Sequence, residues 1–149
     1  MLAAAREARK NAHAPYSRFA VGAAVRLTDG SIITGANFEN ASYGLSLCAE
    51  TVALACANAQ GRLADIEALA VAGGDAPVTP CGRCRQVLLE AEQVARRPIS
   101  IYCTSAADGP FQKFSLAELL PHAFDAVTIS VTAENGLSKN DSLNPAKDA

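Results

Sequence analysis

The chain has 149 residues, 50% of them hydrophobic and 19% charged, which is enough for one domain with a real core. A net charge of −2, with 5% aromatics and no tryptophan, excludes the broad basic, aromatic groove that a polynucleotide needs. No stretch is apolar over the roughly 18 residues of a membrane span; five cysteines, an odd number, argue against a disulfide framework and for a reducing, cytoplasmic compartment.

In chain order, Leu2–Ala12 is rich in Ala, Arg and Glu and predicts a helix closed by Pro15. Met1–Lys10 carries charge throughout and lacks the apolar centre of a signal peptide. His13 reads as a surface or capping histidine, not a ligand. Ala14–Phe19 is a loop entering a strand, Ala20–Leu27, and Asp29-Gly30 is a hairpin signal that returns the chain as Ser31–Gly35. Phe19, where loop becomes strand, reads equally as core or as a flank for a planar ring. Asn37 and Glu39 are two apart and face one side of an extended chain. They read either as turn caps or as an amide and carboxylate for sugar hydroxyls.

Cys48–Ala59 predicts an alanine-rich helix closed near Gly61, and Ile66–Ala72 a buried strand. After the loop Gly73–Pro77 come a helix over Cys81–Val94 and a strand over Ile99–Cys103. Ser105–Pro110 is loop, Ser115–Leu120 a short helix stopped by Pro121, and Ala126–Thr132 alternates as a strand does. Paired strands followed by strands alternating with helices predict a three-layer α/β/α domain with a mixed five-stranded sheet. The expected domain is 1–132, with 133–149 a polar tail expected to be mobile.

Two segments carry the chemistry. Leu47-Cys48-Ala49-Glu50 sets a glutamate two residues past a cysteine, and Thr79-Pro80-Cys81-Gly82-Arg83-Cys84-Arg85-Gln86 sets two cysteines three apart after a proline. Thiolates bind zinc readily, and a catalytic zinc takes three protein ligands and leaves one position to water. Such a metal activates water near neutral pH, and a carboxylate close by that does not bind it can move the protons. If Cys48 opens a helix, Glu50 shares its first turn but points elsewhere. Cys81 and Cys84 at a helix start share a face, and both helix N-termini favour thiolates. A bare Cys-x-x-Cys also reads as a structural zinc half-site or a redox pair. A structural site wants a fourth ligand, and none is obvious: Cys56 reads as a small buried residue and Cys103 as strand core. A redox pair leaves Cys48 and Glu50 without a role. The joint pattern is that of zinc deaminases acting on nucleobases, so hydrolytic deamination is the first reading.

Beyond these segments, Ala14-Pro15-Tyr16-Ser17-Arg18-Phe19, Val21-Gly22-Ala23-Ala24-Val25, Gly35-Ala36-Asn37-Phe38-Glu39-Asn40-Ala41-Ser42-Tyr43-Gly44 and Leu119-Leu120-Pro121 resemble the small, tetrameric cytidine deaminases, in order from about Leu2 to Phe124. The resemblance implies conversion of cytidine or deoxycytidine and water to the uridine product and ammonia. It implies Zn2+ held by Cys48, Cys81 and Cys84, with Glu50 as proton shuttle. Asn37 and Glu39 would bind the ribose, Phe19 would lie against the base, and the main chain at Ala49 would meet the pyrimidine edge. Active sites in that family are completed by neighbouring subunits, so a homotetramer is implied, with Tyr43 and the Phe124 region serving an adjacent site.

One departure stands out. Three-cysteine members usually carry arginine directly after Cys-Ala-Glu, and here Thr51 takes its place. Three thiolates leave the zinc centre negative, and a cation beside a sulfur offsets that charge. Arg83 is the first expected substitute and Arg85 the second. Blasticidin S deaminases, in the same superfamily, resemble the chain at this point but lack the Asn-Ala-Ser-Tyr continuation. Cytidine-type nucleosides are therefore the preferred substrates. Modified cytosine nucleosides or blasticidin S are the alternative, and a non-catalytic zinc-stabilised nucleoside-binding protein is the competing class.

Overall fold

The computed structural model describes residues 1–125. The expected strand 126–132, the domain end at 132 and the tail 133–149 lie outside the described residues. The elements run α1 (Leu2–Ala8), β1 (Val21–Leu27), β2 (Ile32–Ala36), α2 (Ala49–Ala59), β3 (Ile66–Gly73), α3 (Gly82–Ala95), β4 (Ser100–Thr104), β5 (Phe111–Phe114) and α4 (Leu116–Leu119). The sheet order is β2-β1-β3-β4-β5. β1 is antiparallel to both β2 and β3, β3 and β4 are parallel, and β5 returns antiparallel on β4. The parallel pair is joined through α3, the crossover that a parallel ladder needs.

Helices cover both faces, as a three-layer domain requires. β1 and β3 are buried along nearly their whole length, which explains why they read as near-continuous apolar runs. On one face Val25, Leu27, Leu69 and Ile101 pack with Leu54 of α2 and Leu88 of α3. Burying a leucine such as Leu88 stabilises by about 1.5–3 kcal/mol. On the other face Ala24, Ala70 and Ala72 meet Ala5. Small side chains there let α1 lie close to the sheet. At Gly22 an added Cβ would stand 2.0 Å from the Ala5 carbonyl oxygen; at Gly35 it would stand 2.5 Å from Ala49 O and Ala53 N. A glycine at each point is what lets α1 and α2 touch bare strand.

Two elements differ from the sequence expectation. α1 ends at Ala8 and passes through a 3-10 turn, Arg9–Asn11, before the chain turns extended at Ala12. Pairing ends the helix well before Pro15: the His13 amide donates to Asn37 O at 2.9 Å and the Glu39 amide donates to His13 O at 2.8 Å. The fifth strand, among the described residues, is Phe111–Phe114. Its two phenylalanines flank two polar residues, too short a pattern to stand out. Pairing with β4 decides it, helped by the Tyr102–Phe111 ring contact at 5.6 Å.

Candidate active site

Both chemical segments fold as helix starts. Cys48 and Cys81 are the extended residues that precede α2 and α3, and their carbonyls accept from Val52 N and Arg85 N at 3.1 and 3.0 Å. Cys84 lies in the first turn of α3 and is fully buried. The three sulfurs lie within 4.8 Å of one another. Zn–S bonds of about 2.3 Å at tetrahedral angles set sulfurs roughly 3.8 Å apart; Cys48 Sγ and Cys81 Sγ are 3.7 Å apart. Donor chemistry and spacing both fit a zinc ion, with two helix N-termini aimed at the thiolates.

Glu50, in the first turn of α2, is only 4% exposed. Burial pushes its carboxyl up to about 7, and the charge of Cys48 adds to this, while its own amide and the Cys84 thiol pull the other way. The sulfurs without metal share protons unequally. Cys48 is drawn down to about 6, chiefly by the Cys84 thiol that donates to it; Cys84 is driven up by the same bond and by burial. A buried carboxyl poised near neutrality beside a thiolate cluster can take a proton and give it back.

Above the cluster is a cavity of about 320 Å³ whose walls include Phe19, Asn37, Glu39, Ala49, Glu50 and Cys81. Part of the lining comes from two loops held by side chains. Asn37 Oδ1 accepts from Val21 N and its Nδ2 donates to Phe19 O, both at 2.9 Å. Glu39 accepts from the amides of Tyr16 and Ser17 at 3.0 and 3.2 Å and from the Ser17 hydroxyl. These bonds are those of the turn-cap reading, and both residues also line the cavity.

Other expected residues fall elsewhere. Tyr43 is 75% exposed, stacks edge-on with Tyr16 and borders the adjoining depression with Glu39 and Ser46. Phe124 is 61% exposed, and its carbonyl accepts from Gln86 Nε2 at 2.6 Å. Arg83 donates to Ser46 O at 3.1 Å rather than to a sulfur, though its charge helps hold the Cys48 thiol down. Arg85, expected near the thiolates, is turned to Pro80 O, Leu119 O and Thr79 Oγ1 at 2.7, 2.7 and 3.1 Å. It locks the Pro80 turn to the end of α4. Thr51 Oγ1 lies 3.5 Å from Cys84 Sγ, so a neutral hydroxyl meets the sulfur on the side where a cation was missed. Cys103 is buried as expected, whereas Cys56 is only half-buried. Ser17, Ser46, Val78 and Thr79 also line the cavity and were not anticipated. Ser17 carried a weak signal, as the hydroxyl residue two before Phe19.

The comparisons with known proteins agree with this geometry. Residues 1–100 match the cytidine and deoxycytidylate deaminase zinc-binding region. The chain is 47% identical over 120 residues to a cytidine deaminase of Halalkalibacterium halodurans, covering 80% of this chain and 88% of that one. It is 39% identical over 135 residues to one from Sporosarcina psychrophila, covering 90% and 96%. In structure it resembles the cytidine deaminase of Burkholderia pseudomallei with a TM-score of 0.75 at 43% identity, over 83% of this chain and 95% of that one. Among the described residues no helix is long and apolar enough to cross a membrane.

Proposed function

The chain belongs to the zinc-dependent cytidine deaminase family, and on that premise we propose that it hydrolyses cytidine or deoxycytidine to the uridine product and ammonia, with Glu50 moving the protons. The observation that carries this is the buried carboxyl of Glu50 beside the three sulfurs, lining the same cavity as Asn37 and Glu39.

Cys48, Cys81 and Cys84 would hold the zinc, which when bound supplies Lewis-acid activation of water. Glu50 accepts one proton from the attacking water and passes it to the ring nitrogen. It then takes the second from the hydroxyl formed on the ring carbon and passes it to the amine as the C–N bond breaks and ammonia leaves. Its carboxyl near 7 suits both directions at neutral pH. Phe19 lies along the base, the Ala49 main chain meets the pyrimidine edge, and Asn37 and Glu39 hold the sugar, so the amine is carried toward Glu50. Apolar walls such as Val71 and Val78 limit bulk water around the reacting carbon. Arg83 offsets thiolate charge through space.

We further place the chain in a homotetramer in the cytoplasm. Tyr16, Phe38, Tyr43 and Leu45 are each at least half exposed on two adjoining loops, an apolar patch of the kind that marks an interface, and Tyr43 and Phe124 would then face neighbouring sites. Free thiols at the ligand positions suit a reducing compartment.

The test is an ultraviolet deamination assay on cytidine, deoxycytidine, 5-methylcytidine, free cytosine, adenosine and blasticidin S, with zinc measured on the same sample. Cytidine or deoxycytidine should turn over, and Glu50→Ala should lower kcat by at least about 10³-fold with zinc retained. Turnover confined to another compound would move the substrate and keep the mechanism. Full zinc without turnover on any of them would refute the reading.

A further inference from the structure

The hydroxyl of Ser17 sits between two parts of the sugar wall. It donates to Glu39 Oε1 and accepts from the amide of Phe19 at 2.9 Å. The carbonyl of the same Phe19 accepts from Asn37 Nδ2 at 2.9 Å. Both main-chain polar groups of Phe19 are thus tied to the Asn37–Glu39 pair, one directly and one through Ser17. Arg18, between them, has a φ of 58°, in the left-handed region that side-chain-bearing residues rarely adopt. Such a conformation persists only where its surroundings over-determine it. Here the Arg18 amide donates to Ala14 O at 3.1 Å, and the Ser17 hydroxyl closes the turn. Behind the ring, a Cβ at Gly74 would stand 3.3 Å from Phe19 Cε2, so the ring rests on the loop that follows β3.

An ionised carboxylate has about four lone-pair sites. Three are taken at Glu39, by the Tyr16 amide, the Ser17 amide and the Ser17 hydroxyl. Glu39 itself lines the cavity, with about one acceptor site left over. The Ser17 hydroxyl is also the leading cause that holds the Glu39 carboxyl below its ordinary range, so the acceptor stays charged.

We propose that Ser17 is a positioning residue whose hydroxyl couples the sugar-facing carboxylate of Glu39 to the backbone that carries the Phe19 ring. Sugar and base are then held by one unit, and a nucleoside is recognised as a whole. The proposal rests on the nucleoside deaminase reading.

Ser17→Ala cuts the link and leaves Glu39, Asn37 and Phe19 in place. KM for cytidine rises on the order of tenfold, with kcat within about twofold of wild type. Ser17→Thr keeps a hydroxyl and restores KM. Adding Ser17→Ala to Glu39→Gln raises KM little beyond Glu39→Gln alone, since coupled residues are non-additive. A wild-type KM in Ser17→Ala, or additive effects in the double variant, overturns the coupling and leaves the deaminase reading intact. A zinc-loaded wild-type protein inert on every compound of the panel overturns the deaminase reading. The coupling is then decided at the Phe19 amide, whose hydrogen–deuterium exchange rises at least about tenfold in Ser17→Ala if the hydroxyl holds it and stays unchanged if it does not.

Discussion

The proposed hydrolytic end and the proposed sugar end of the cavity are built in different ways. At the hydrolytic end, Cys48, Glu50, Cys81 and Cys84 stand on or beside the first turns of α2 and α3, and Glu50 and Cys84 are buried. Their positions follow from helix geometry and the packed core beneath. At the sugar end, Phe19, Asn37 and Glu39 stand on loops and are positioned by side-chain bonds to main chain. The groups proposed to do chemistry are fixed by regular structure, and those proposed to recognise substrate are fixed by one another. The first arrangement tolerates no loss of a member; the second loses function by degrees.

The largest effect is expected where the helix starts meet. Cys84→Ala removes a fully buried ligand. Zinc content falls to background, deamination is lost, and the thermal midpoint drops to that of chelator-treated protein, because metal binding free energy is folding free energy. A variant that kept both zinc and activity would show that two sulfurs suffice.

A smaller effect separates burial from metal binding. In zinc-free protein the folded-state carboxyl of Glu50 stands near 7 against an ordinary 4.5. A raised folded value means that its stabilising effect is complete below about 4.5 and is lost as pH climbs through 7. Urea midpoints of zinc-free protein, compared with Glu50→Gln, should therefore show a relative loss on the order of 3 kcal/mol between pH 4.5 and 7. Parallel curves for the two proteins would place Glu50 in water rather than in the core.

At the sugar end the steps are smaller. Glu39→Gln removes a charge that holds Tyr16, Ser17 and the cavity wall together. KM for cytidine should rise roughly tenfold with kcat nearly kept, whereas an equal fall in kcat would put Glu39 in the chemical step. The least change is expected at Arg83, which is exposed and bonded to Ser46 O. Arg83→Ala should raise zinc off-rate and lower turnover only about threefold, because solvent screens an exposed charge. Wild-type values for both would end its role in offsetting thiolate charge.

The same contrast decides what could be read from the amino acids alone. Cys48-Ala49-Glu50 and Pro80-Cys81-Gly82-Arg83-Cys84 are legible because covalent spacing at a helix start already sets which side chains share a direction. β1, β3 and β4 are legible because buried strands are continuous apolar runs. β5 is hidden because only its neighbour β4 makes four residues into a strand. The end of α1 is hidden because His13 pairs with Asn37 and Glu39, residues more than twenty positions away. Arg85 illustrates the limit most clearly. Its place directly after Cys84 suggested charge compensation, yet its donors are satisfied by carbonyls of the Pro80 turn and α4. Ser17 shows the converse: its local signal is weak, and only the folded loop brings its hydroxyl to Glu39.

The close approach at Gly35 sets a length. The strand that ends one residue before Asn37 is seated at Gly35 directly on the backbone of Ala49 and Ala53, and α2 opens there with Glu50 one residue on. The proposed sugar anchor, Asn37, and the proposed proton carrier, Glu50, are thus two marks on one gauge, spaced by main chain against main chain at Gly35. Loop substitutions can retune which sugar is preferred without altering that spacing. A longer or shorter spacing requires a new contact between strand and helix.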